Sequence, residues 1–158
     1  MRYFLATILL FIGAVAFAQK EKDTILRRCP IFIIDTLTSN NYFLEYQPAT
    51  VKVFRAKGKL TILIQQKDQY FTLFFRDKNL ENRKYKIVVT NPDRNEVEAK
   101  YSFRSGTAVS YVSISQGYVE TQYDKEKEFW HIKVNGLLTN LAGRTVSVYK
   151  VKADFNIE

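Results

Sequence analysis

The chain carries one cysteine, Cys29, and one histidine, His131, in 158 residues. A single cysteine forms no internal disulfide, so the fold depends on its core, and the thiol reads as a buried, inert group. Zinc takes several Cys, His or carboxylate ligands at short spacing, and Cys29 and His131 are about a hundred residues apart, so no metal site is expected. Nucleophile systems of the Ser-His-Asp or Cys-His kind need a histidine beside the nucleophile. His131 has the opposite parity to Trp130 and Ile132 in an alternating segment, which assigns it to a solvated or second sheet face. There is no G-x-S-x-G elbow, glycine-rich phosphate loop or dinucleotide motif, which removes the usual nucleotide enzymes. No catalytic residue, cofactor or metal is therefore assigned.

Two weaker chemistries have some residues in their favour. Asp93, Asn95, Glu96 and Glu98 crowd one turn, but the glycine of a tight calcium loop is missing, and alternation puts Glu96 and Glu98 on a wet face. A carboxylate pair such as Glu120 and Asp124 would suit a secreted hydrolase, yet their separation is a property of the fold.

Long apolar runs are scarce as well. The one present, Tyr3 to Phe17, follows Met1-Arg2 and ends in Ala16-Phe17-Ala18, after which the chain turns abruptly charged at Lys20-Glu21-Lys22-Asp23. A basic start, an apolar stretch and an A-x-A site make a secretory signal peptide over residues 1–18. The run falls short of the roughly 20 apolar residues that span a bilayer. Cys29 does not directly follow the run, which speaks against a lipoprotein. The mature chain is thus expected to be periplasmic or extracellular, with no transmembrane segment. Residues 19–28 read as a flexible polar leader and residues 29–158 as one domain. Loss of Arg2 takes the net charge from +8 to +7, which keeps a protein in solution and identifies no partner by itself.

What the sequence has in quantity is alternation. Val97, Ala99, Tyr101 and Phe103 interleave with Glu96, Glu98, Lys100, Ser102 and Arg104, and similar segments recur along the chain between turn residues. Ala56-Lys57-Gly58-Lys59, Asn91 to Asn95, Ser105-Gly106 and Asp124 to Glu128 supply turns, and Gly117 marks a bulge or bend. Asn135-Gly136 suggests a positive-φ turn or bulge, followed by a connection over Leu137 to Arg144. Val146 and Val148 sit on one parity and Val151, Ala153, Phe155 and Ile157 on the other, which implies a bulge near Tyr149 or burial of both faces. Behind Pro30, Ile31 to Asp35 fits an edge strand, and Tyr42 to Tyr46 another strand. The fold class is all-β, a single antiparallel β-sandwich or closed β-barrel of about nine or ten strands.

The order GKLTI at 58–62, YFTLFF at 70–75, RKYKI at 83–87, AKY at 99–101, WHIKVNG at 130–136 and AGRTVSV at 142–148 resembles small exported β-rich domains of Gram-negative bacteria. The resemblance runs from about Thr50 to Ile157 and rests on turns and core strands. It implies fold and export, and brings no catalytic residue with it.

Aromatics are abundant, with 10 Tyr and 12 Phe. Buried ones fill a β core, and exposed ones stack on sugar rings or bases. Tyr111, Tyr118, Tyr123 and Trp130 are the ligand-contact candidates. These readings make the protein an exported non-catalytic binding or structural module, not an enzyme, whose partner is an envelope protein or a surface glycan, with no nucleic acid. The alternative is a small β-barrel carrier of an apolar ligand, in the manner of a lipocalin.

Overall fold

The computed structural model describes residues 24–27, 31–43, 48–142 and 144–158. The apolar run 1–18, Cys29 and the 44–46 part of the expected Tyr42–Tyr46 strand lie outside them. Ten strands and no helix fill the described residues: β1 (Thr24–Leu26), β2 (Ile31–Asp35), β3 (Ala49–Ala56), β4 (Lys59–Gln66), β5 (Gln69–Phe75), β6 (Arg83–Val88), β7 (Glu96–Ser105), β8 (Ala108–Asp124), β9 (Phe129–Ala142) and β10 (Thr145–Ile157). β1 lies within the stretch read as a leader and pairs with Ala49–Val51 of β3.

One sheet takes all ten strands in the order β1-β3-β4-β5-β7-β6-β8-β9-β10-β2. It is antiparallel except where Lys86–Val88 of β6 run parallel to Glu96–Glu98 of β7. The domain is therefore a mixed sheet curled into a half-barrel, not the purely antiparallel one expected. A parallel neighbour ordinarily needs a long crossover. Here the shared register is so short that the 89–95 turn returns the chain far enough.

Local chemistry sets the hairpins. Lys57 (φ 52°) and Gly58 (φ 75°) both occupy the left-handed region, the requirement of a two-residue turn whose twist matches its strands. Asp124 Oδ1 accepts the amide hydrogens of Glu126 (3.0 Å) and Lys127 (3.1 Å), closing the β8–β9 turn.

The concave face carries the core. Leu60, Ile62 and Ile64 of β4 pack with Phe71, Leu73 and Phe75 of β5, then with Val97 and Ala99, Ile132 and Val134, and Val151, Ala153, Phe155 and Ile157. Each of these side chains larger than alanine contributes roughly 1.5–3 kcal/mol by leaving water. The convex face of the second half of β10 is polar, with Lys150, Lys152, Asp154 and Asn156 exposed between buried neighbours.

Three sequence readings are corrected. β9 runs straight through Asn135-Gly136 and Leu137 to Ala142, with β10 paired to it from Thr145 to Ile157. Gly136 is in strand because a close neighbour, not a turn, demands glycine: a Cβ there would come within 2.7 Å of Ile114 Cγ2. β10 has no register shift at Tyr149. Tyr149 shares the concave parity of Val151, while Val146 lies exposed on the other face. The bulge sits instead in β8, where the register slips between Ile114 and Gln116. Two residues further on, Gly117 has φ 133° and packs against the Asn135-Gly136 backbone.

Candidate functional site

β8 changes partners along its length. Its first part, Ala108–Ser113, pairs with β7. Its later part pairs with β6 and, from Ile114 on, with β9. Beyond the Ile114–Leu138 rung, β8 continues with β7 while β9 continues with β10. The sheet thus splits into a β7–β8 flap and a β9–β10 flap.

A cavity of about 490 Å³ occupies this split at one mouth of the half-barrel. Val112 comes from one flap and Leu138, Asn140 and Tyr149 from the other, with Ile33 of β2 beside them. Gln69, Tyr101 and Phe103 complete the wall from β5 and β7. Segment 41–43 folds back over the mouth. The Tyr42 amide donates to the Ile33 carbonyl (3.0 Å), and Asn41 Oδ1 accepts from the Ile33 amide (2.9 Å), which also satisfies the free edge of β2. The Tyr42 ring meets Tyr149 edge-on at 5.4 Å between centroids, and buried Phe43 meets Tyr101 at 6.0 Å.

The cavity is mostly apolar with a few polar groups. Tyr101 donates its hydroxyl hydrogen to Gln69 Oε1 at 3.2 Å. Burial pushes the Tyr101 phenol above its ordinary value of 10.0, so it stays neutral. Asn140 has the concave parity of Leu138. The charged residues of the wall, Asp68 and Arg104, belong to the rim and are joined through the Arg104 amide and the Asp68 carbonyl (2.8 Å). This arrangement buries an apolar body and answers an uncharged hydrogen-bonding group. An unpaired buried charge would be costly there.

The four aromatic candidates lie elsewhere, and only Tyr123 and Trp130 among them meet. Tyr111 is exposed on the convex face, where Lys100 Nζ lies 5.6 Å from both its ring and that of Phe74. Tyr118 is on the convex face of β8 under Lys84 Nζ, 3.4 Å from its ring centroid. Tyr123 and Trp130 are opposite one another at the far end of the β8–β9 ladder, with centroids 5.2 Å apart. His131 is on the convex side, its Nε2 2.5 Å from Asp154 Oδ1. Among the described residues there is no cluster of metal-ligating side chains and no helix long and apolar enough to cross a membrane. Sequence reasoning missed Tyr42, Gln69, Tyr101, Asn140 and Tyr149 as a group, because only the strand order brings them together.

Set against known protein families, curated proteins and solved structures, the chain matches none.

Proposed function

We propose that the protein is an exported, non-catalytic binding module that holds one apolar or aromatic ligand bearing an uncharged polar group. Of the two architectures expected, this reading takes the half-barrel as an open barrel, with the ligand at its mouth. The observation that carries it is the cavity between the flaps. Its volume of about 490 Å³ lies in the range of small-molecule sites, and its lining of aromatics with a few polar groups is their usual composition. Export is supported by the sequence of residues 1–18. The scatter of Tyr111, Tyr118, Tyr123 and Trp130 over three places makes a single glycan-stacking platform the weaker reading.

A neutral fluorescent probe, N-phenyl-1-naphthylamine, tests the reading by titration. The native chain brightens it with saturable one-to-one binding. Val112→Phe, which fills the split from one wall, lowers the affinity at least about tenfold with an unchanged circular dichroism spectrum. Native mass spectrometry of protein purified from its own host shows a co-purifying apolar mass. An empty spectrum together with unaltered probe binding by Val112→Phe sinks the proposal.

A further inference from the structure

The two ends of the half-barrel differ in chemistry. At the end away from the cavity, ion pairs join Arg76 with Asp93 (2.6 Å), Arg94 with Asp77 (3.1 Å) and Lys127 with Asp124 (3.9 Å), and the exposed Lys57, Lys59, Lys78 and Lys125 stand beside them. At the mouth, four loops gather: the 36–40 turn, the β4–β5 turn, and the β7–β8 and β9–β10 hairpin tips. There Leu37 is 86% exposed, Val146 57% and Val109 55%, and Tyr42 and Phe103 are also in solvent. Lys67, Arg104 and Arg144 stand among them with no ion-pair partner among the described residues. Among the described residues the nearby carboxylates are Asp68 and Asp35, and Asp35 Oδ1 is engaged with the amides of Leu37 (2.7 Å) and Thr38 (3.1 Å).

We infer that the mouth end docks on an anionic lipid surface. The exposed apolar side chains stand at the tips of separate loops and do not line a groove. That form suits insertion among headgroups better than the grip of a protein partner. Unpaired cations between them complement anionic headgroups, and aromatic rims belong at such interfaces. The rim is also continuous with the apolar cavity, so a ligand passes between bilayer and pocket without crossing water. For that last point the inference rests on the proposed pocket, and surface contact is measured separately from it.

The test places an environment-sensitive nitrobenzoxadiazole label on single cysteines of the full chain, with Cys29→Ser in every sample. Labels at Val109→Cys and Val146→Cys brighten and shift to the blue with vesicles of phosphatidylglycerol and phosphatidylethanolamine. A label at Phe54→Cys, on an exposed apolar residue at the other end, does not. Because the label reports which end enters the lipid, binding through the amino-terminal run does not imitate this pattern. Arg104→Gln with Arg144→Gln weakens vesicle binding on the order of tenfold, and pure phosphatidylcholine vesicles give a weaker response. Silence at both rim positions, or an equal response at position 54, overturns docking, as does rim protection by a protein partner without vesicle contact. Naphthylamine binding in the same samples keeps the two readings apart: probe uptake without a rim response defeats docking alone, and a rim response without uptake defeats the pocket alone.

Discussion

Ile114 faces Leu138 across the last rung that β8 and β9 share, and both side chains are buried. Everything beyond that rung belongs to one flap or the other. The candidate site is therefore a consequence of strand pairing: where the ladder ends, two concave faces separate and leave apolar side chains without an opposing layer. The β8 bulge and the Gly117–Gly136 pair lie just on the joined side of this rung, where the ladder must bend.

Gly117→Ala tests that bend. With φ at 133°, an L-residue is strained, and its Cβ would overlap the Asn135-Gly136 backbone. A loss of about 2 kcal/mol or more is expected in urea unfolding. A stability equal to the native protein would mean that β8 reaches β9 by another backbone path.

Thr121 is buried with its hydroxyl donating to the Glu81 carbonyl at 2.6 Å, which ties the β5–β6 loop to β8. Thr121→Val keeps the shape and removes the donor. Thermal unfolding should register about 1–2 kcal/mol of destabilisation, with circular dichroism unchanged. A neutral effect would show that water replaces the hydroxyl.

Trp130 offers a positional test of the pocket. It lies eight residues along β9 from Leu138, or roughly 26 Å at about 3.3 Å per residue. A brominated apolar ligand, which quenches on contact, should bind without dimming Trp130. Strong quenching would move the site to the Tyr123–Trp130 end.

Alkaline pH probes the buried phenols. Desolvation raises both Tyr101 and Tyr85 above the ordinary value of 10.0, partly offset at Tyr85 by the hydrogen bond with the Glu81 amide. The folded state holds these protons more tightly than the unfolded chain does. Their contribution to stability is thus intact below pH 10 and is lost as pH rises through the folded values. Unfolding midpoints measured upward from pH 9 should fall, and Tyr101→Phe should flatten the slope. An unchanged slope would place Tyr101 in solvent.

The parts legible in the sequence were those fixed by neighbours in the chain. Alternation gave Val97, Ala99 and Tyr101 their concave face, and Lys57-Gly58 gave a hairpin, because parity and turn chemistry act over a few residues. The parallel β6–β7 contact, the β8 change of partner and the place of β2 beside β10 depend on distant pairings that no local pattern encodes. The site shares that fate: Gln69, Tyr101, Asn140 and Tyr149 come from four strands. Asn135-Gly136 misled because a glycine needed for a close approach looks the same, in sequence, as one needed for a turn.

The pairing of β2 with β10, Ile31 against Ala153, carries a consequence in time. More than a hundred residues separate β2 from β10, so this seam closes only after β10 has been made. Local hairpins such as β3–β4 form early, whereas the seam brings together residues of large sequence separation and is slow for that reason. The polypeptide therefore remains an open, unfinished sheet until β10 is available to take β2 as its neighbour.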